Sequence, residues 1–252
     1  YIFNSGLVVS SIANFTVTGG KNNVANVGRF NLESSGLLTG LINSPGLYEK
    51  LHRFVKLDAE FRQNHKIRRS AFAWRAFAGA GYQLSSNRYV YNQTLPFFKS
   101  YYAGGANSMR AWGLRKLGPG SAIDSFDRNK APERFGDMQL ELNAEYRFFI
   151  ASVGGVEINS ALFTDIGNIW TIRQLPGFEN GQFKFNKIWH DLAIGAGTGL
   201  RIDFGFFLIR LDWAYKLKDP SPDERDAHLQ NKFFPYKSFR DGQLQLGVTY
   251  PF

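Results

Sequence analysis

The 252-residue sequence contains no cysteine, so neither disulfides nor thiolate metal sites can form. It also lacks any run near the roughly 20 apolar residues that a membrane-crossing helix requires. That excludes a helical span but not a barrel, whose strands need only about 10 residues and alternate apolar with polar. Catalytic constellations are missing as well. The four histidines, His52, His65, His190 and His228, show no metal-ligand spacing, and there is no Gly-x-Ser-x-Gly nucleophile elbow. His190 and Asp191 adjoin, but consecutive residues of an extended chain point to opposite faces, so His190 reads as a loop or interface residue. No enzyme activity, cofactor or metal is expected. The chain opens at Tyr1 with no signal-peptide pattern, and its natural start is expected to lie upstream.

What is abundant favours strands. Aromatics reach 16%, with 24 Phe and 11 Tyr, and aromatic side chains fit pleated surfaces. The net charge is +9. The basic residues are spread along the chain and interleave with apolar ones, with no run beyond Arg68-Arg69, which argues against nucleic acid as a partner.

Alternation with period two is the main signal. From Gly136 to Phe149, Met138, Leu140, Leu142, Ala144, Tyr146 and Phe148 share one face. Asp137, Gln139, Glu141, Asn143, Glu145 and Arg147 share the other. The pattern recurs over Lys66 to Tyr82, from Val156 to Ile166, from Leu192 to Asp203, from Phe207 to Leu217 and from Gln243 to Phe252. Weaker strands are expected at 6–18, 23–34 and 51–63, for a total of about nine. Most segments run about 12–16 residues, beyond the usual 5–6, and suit tilted membrane-spanning strands. Short links fall near Gly19–Asn22, Gln63–Lys66, Ala151–Gly154 and Phe204-Gly205, and long ones near 35–50, 83–135, 171–189 and 218–238. Barrels of this kind have short periplasmic turns and long extracellular loops, which sends every long link outside and Phe252 to the periplasmic rim.

The expected fold is therefore all-β. Residues 1–252 are expected to form the C-terminal part of one transmembrane antiparallel β-barrel in the bacterial outer membrane, with an extracellular loop inserted at about 83–135. A wall of about nine strands has open edges that cannot face lipid. Further strands are therefore expected before Tyr1, and a mature N-terminus at Tyr1 would contradict this.

Three segments then carry a resemblance. Tyr101-Tyr102-Ala103-Gly104-Gly105-Ala106-Asn107-Ser108-Met109-Arg110-Ala111-Trp112, continuing to Leu117-Gly118-Pro119-Gly120, resembles the sixth-loop signature of the BamA/TamA outer-membrane assembly family. Its loop motif is Gly104, Gly105, Ser108, Arg110 and Trp112. Leu162-Phe163-Thr164-Asp165-Ile166-Gly167-Asn168-Ile169-Trp170 resembles the family's Phe-x-Asp-x-Gly-Asn-x-Trp strand, and Asn143-Ala144-Glu145-Tyr146-Arg147-Phe148 the strand before it. The resemblance covers residues 95–252 well and is greatest to the TamA-like branch of Bacteroidetes, often called TamL. One departure is Ala111, where the family has Gly; Gly takes a positive φ cheaply and Ala does not. Either the loop needs no such conformation there or its tip differs.

The resemblance implies a 16-stranded barrel behind periplasmic client-binding domains. It implies insertion of barrel proteins into the outer membrane or export of proteins across it. Client barrels, periplasmic or inner-membrane assembly partners, and outer-membrane lipid with lipopolysaccharide are the implied partners. The chain end, Gln245-x-Gly247-x-x-Tyr250-x-Phe252, resembles the β-signal by which such machinery recognises client barrels. Its alternation also predicts a lipid-facing strand, with Tyr250 and Phe252 at the interface.

The inner wall carries Glu141, Glu145, Glu157 and Asp165, balanced by Arg147, Arg201 and Arg210, and reads as a solvated lumen. Arg110 is expected to reach from the loop to Asp165 and Glu145, with Glu141 in reserve. The family motif points to Glu145, whereas a turn near Ser152-Val153 would set Asp165 opposite Gln139–Glu141. The alternative is an exposed loop arginine. Gly195-x-Gly197-x-Gly199 lies on one strand face with no helix after it, so it is no dinucleotide fingerprint; residues so small leave room for an inserted loop. A passive pore or transporter is the competing function, and would not need the Arg110 motif.

Overall fold

The computed structural model describes residues 7–36, 51–84, 94–122, 134–175, 178, 180–221, 232–234 and 238–252. Tyr1, His228 and segments 37–50, 85–93, 123–133 and 222–231 of the long links lie outside the described residues. Ten strands form a single antiparallel sheet: β1 Ser10–Lys21, β2 Val24–Ser35, β3 Phe54–Ile67, β4 Ser70–Gln83, β5 Met138–Val153, β6 Val156–Trp170, β7 Ala193–Asp203, β8 Leu208–Asp219, β9 Lys232–Phe233 and β10 Gln243–Val248. Nine pair in the order β1-β2-β3-β4-β5-β6-β7-β8-β10, and the two-residue β9 pairs with the end of β8. β1 and β10 are the edges, so the sheet is an open, partial barrel.

Burial is inverted relative to a water-soluble protein, in which charged side chains are almost never fully buried unless paired. On β5, Glu141, Asn143, Glu145 and Arg147 are buried, while Leu142 and Tyr146 are 46% and 42% exposed. Phe15, Val17, Leu162, Leu200 and Leu246 extend the exposed apolar face around the wall. Such a face is stable against hydrocarbon and costly against water. No helix among the described residues is long and apolar enough to cross a membrane; the strands do so.

The short turns lie at one end of the sheet and the long links at the other, as the alternating link lengths imply. Three turns fall later than the sequence suggests, the first at Asn22-Asn23, because Gly19–Lys21 still pair within β1. The polar run Gln63 to Lys66 continues β3, where Gln63 donates to Asn26 and accepts from Trp74. The chain reverses at Arg68-Arg69, with Arg68 at φ 52 and Ile67 paired to Ser70. Likewise β5 and β6 meet at Gly154-Gly155, both at positive φ, with Val153 opposite Val156. Together with a bulge between Phe149 and Ala151, this sets Asp165 opposite Asn143, midway between Glu141 and Glu145, and not opposite Gln139–Glu141.

Candidate functional site

The link between β4 and β5 folds back onto the charged face of the sheet. Its side chains Tyr101, Ala103, Met109, Ala111, Trp112 and Leu117 form one apolar cluster with Phe54, Phe163 and Ile169 of the wall. The tip is a compact turn: the Gly105 N–H donates to Trp112 O at 2.9 Å and the Trp112 N–H to Met109 O at 3.0 Å. Gly104 and Gly105 sit at φ 106 and 91, a region closed to most side chains, which explains the paired glycines. Ala111 has no positive φ, so the departure from the family pattern costs the backbone nothing.

The tip projects Arg110 into the wall. Its Nε and Nη2 donate to the two oxygens of Asp165 at 2.9 and 2.8 Å, a two-point fork. Nη1 donates to Glu145 at 2.5 Å, and the Arg110 backbone N–H also reaches Asp165, at 3.0 Å. The guanidinium lies 3.5 Å from the Phe163 ring centroid. Arg110 is 1% exposed and both carboxylates are fully buried. Burial alone would lower the Arg110 pKa; Asp165 and then Glu145 override it and hold the pKa above its ordinary value.

The surrounding charges form one network. Glu145 also accepts from Arg147 at 2.8 Å and pairs with Arg201 at 3.1 Å. Arg201 donates to Asp212 at 2.6 Å, and Arg210 approaches Asp212 at 3.4 Å. Four arginines thus share Glu145, Asp165 and Asp212. Glu141 serves elsewhere, bonding Ser108 of the loop and pairing with Arg75 at 2.8 Å.

The β6 segment holds the loop residue by residue. Phe163 lies under the guanidinium and Asp165 binds it. At Gly167 a Cβ would sit 2.4 Å from Leu140 O, so the close approach of β5 requires glycine. The Asn168 amide donates to Gly120 O at 2.9 Å and Asp191 O at 2.5 Å. Trp170 donates to Asp191 at 3.1 Å. Asn168→Ala would strand buried carbonyls at roughly 1–3 kcal/mol. Limited proteolysis of the folded protein should then cut within residues 94–122 several-fold faster; an unchanged rate would deny Asn168 this holding role.

On β7, Gly195 makes space for the loop, while Gly197 and Gly199 face residues of the wall. A Cβ on Gly195 would stand 2.8 Å from the Ala111 Cβ and 3.3 Å from the Trp112 ring. On β10, Gln245 donates to Arg110 O and Trp112 O at 3.2 and 3.0 Å. Gly247 leaves room for the Arg210 guanidinium, which a Cβ would approach to 2.5 Å.

The final residues depart from expectation. β10 ends at Val248, and Thr249, at φ 71, breaks the alternation. Tyr250 nevertheless stays 39% exposed, as Leu244, Leu246 and Val248 before it are exposed, while Phe252 is half-buried. The Arg147 guanidinium lies over the Tyr250 ring at 4.1 Å and the Phe252 ring at 5.8 Å, a cation–π attraction to the charged wall. Sequence reasoning did not single out Asn168, Asp212, Gln245 as a loop contact, or Arg75; their inward positions in the alternation were the available signal.

A sheet apolar outside and charged inside, with an extracellular link seated in the charged face, defines a piece of an outer-membrane β-barrel. Residues 26–248 match the Omp85 superfamily domain, and the chain belongs to that family. Among solved structures, it is similar to BamA from Haemophilus ducreyi lacking POTRA domains 1-3. The identity is 14% and the TM-score 0.55, over 95% of this chain and 42% of that one. CdiB from Acinetobacter baumannii aligns at 11% identity with a TM-score of 0.36, over 84% of this chain and 39% of that one. The chain spans about two fifths of the length of these two proteins. No curated protein matches it. Family and fold together put the chain in the bacterial outer membrane.

Proposed function

We propose that this chain is the working wall of an outer-membrane assembly component, nearest to the TamL-like branch, which helps insert barrel proteins or export proteins. Omp85 membership supports insertion or translocation in general. The observation that carries the finer reading is the loop itself: its buried Arg110 is shared between Asp165 and Glu145. A passive pore needs no such costly seat, because desolvating an arginine and two carboxylates gains little stability by itself. The client strand would add to an open sheet edge, as in β-augmentation. Client barrels and periplasmic or inner-membrane subunits are the partners of this reading, with lipid and lipopolysaccharide around the wall.

Depleting the protein in its own bacterium tests this. Heat-modifiable, assembled barrel proteins should fall several-fold while their unfolded forms accumulate. Loss of small-solute uptake with normal barrel assembly would favour the pore. The chain-end motif Gln245, Gly247, Tyr250 and Phe252 is read here also as a recognition signal. Phe252→Ser should slow the protein's own insertion in a reconstituted assembly assay about tenfold, and shift the melting of the assembled barrel little. Equal insertion rates would remove the signal role.

A further inference from the structure

The loop is fastened to the wall from two sides, and only one side is the Arg110 seat. The other is β10, six residues long and paired, among the described residues, with β8. Its Gln245 places one amide nitrogen between two loop carbonyls, Arg110 O at 3.2 Å and Trp112 O at 3.0 Å. A carboxamide nitrogen has two hydrogens and carries no charge, so a single side chain serves both acceptors. Two residues on, Gly247 faces Arg210 in register, and the guanidinium lies over it to donate to Ala106 O and Asn107 Oδ1, each at 2.7 Å. The same loop tip is therefore bound to the β5–β6 wall through charge and to β10 through a neutral donor.

We propose that Gln245 is a positioning residue that couples the edge strand to the loop: β10 cannot leave its place on β8 without releasing Arg110–Trp112, and an unseated loop loosens β10. The coupling is reciprocal because it is one free energy shared by two elements. It depends on the donor character of Gln245 and not on its bulk.

The chain has no cysteine, so within it a thiol at the loop tip has no competitor, and labelling of the parent protein gives the background. Met109 is fully buried at the tip. In the native full-length protein carrying Met109→Cys, thiol labelling should be slow. Gln245→Glu, equal in size but offering only acceptors to two carbonyls, should speed labelling at least tenfold, and Gln245→Ala by a smaller factor. Only heat-modifiable, folded protein is scored, so failure to fold does not count as release. A packing role would reverse the order, since alanine removes volume and glutamate does not; that order, or rates within twofold of the parent, would overturn the proposal. In the converse arm, Arg110→Ala should speed hydrogen exchange in Gln243–Val248 at least fivefold while β7 stays protected. Unchanged exchange in β10 would refute the coupling.

Discussion

Arg110→Ala should unseat the loop without unfolding the wall. The substitution leaves Asp165 and Glu145 buried with their main cation gone, and breaking a buried pair from one side costs about 3–5 kcal/mol. Asp165 would keep the Asn143 amide at 3.0 Å, and Glu145 would keep Arg147 and Arg201, so the loss is partial. The strand pairing does not depend on Arg110, and the folded barrel should still show heat-modifiable mobility. The loop, however, would lose its fork and its contact to Phe163. Labelling of a thiol at position 109 should rise by about two orders of magnitude, in line with a cost of about 3 kcal/mol at 1.4 kcal/mol per tenfold. A rise below threefold would mean that the apolar cluster alone holds the loop.

Glu145→Ala should be more damaging still, because Glu145 serves three cations. Removing it leaves Arg147 and Arg201 crowded against Arg110 with Asp212 and Asp165 to share, and like charges then repel across a poorly solvated interior. The expected cost is about 4 kcal/mol or more, seen as a lower melting temperature of the barrel in addition to release of the loop. Glu145→Gln keeps the shape and one acceptor and should fall between alanine and the parent. If Glu145→Ala melted like the parent, the cations would have to be satisfied by water, and the charged network would be solvation and not structure.

Much of this was legible in the sequence because alternation and motif act on different scales. The period-two pattern separates Glu141, Asn143, Glu145 and Arg147 from Leu142, Ala144 and Tyr146 before any fold is known, and the sheet keeps that division. The meeting of Arg110 with Asp165 and Glu145 followed from the loop and strand motifs. Register did not follow, because a bulge between Phe149 and Ala151 and a turn at Gly154-Gly155 are decided by backbone geometry that composition leaves open. The same limit applies at Gln63 to Lys66, whose polarity suits a turn and an inward strand face equally well. At the chain end, alternation predicts an exposed Tyr250, which is 39% exposed, but not the Arg147 guanidinium over its ring, a contact distant in sequence. Gln245 as a loop contact was hidden for a similar reason: its partners lie 135 and 133 residues away.

The seated loop is proposed to belong to a machine that moves protein, not to a plug in a pore. The most direct measurement reconstitutes the full-length protein in lipid vesicles and follows, in the same preparation, insertion of an unfolded client barrel and flux of a small solute. The parent should speed client insertion at least tenfold over empty vesicles with little solute flux, and Arg110→Ala should lose most of the insertion activity while solute flux rises. Client insertion no faster than in empty vesicles, together with solute flux through the parent, would contradict it.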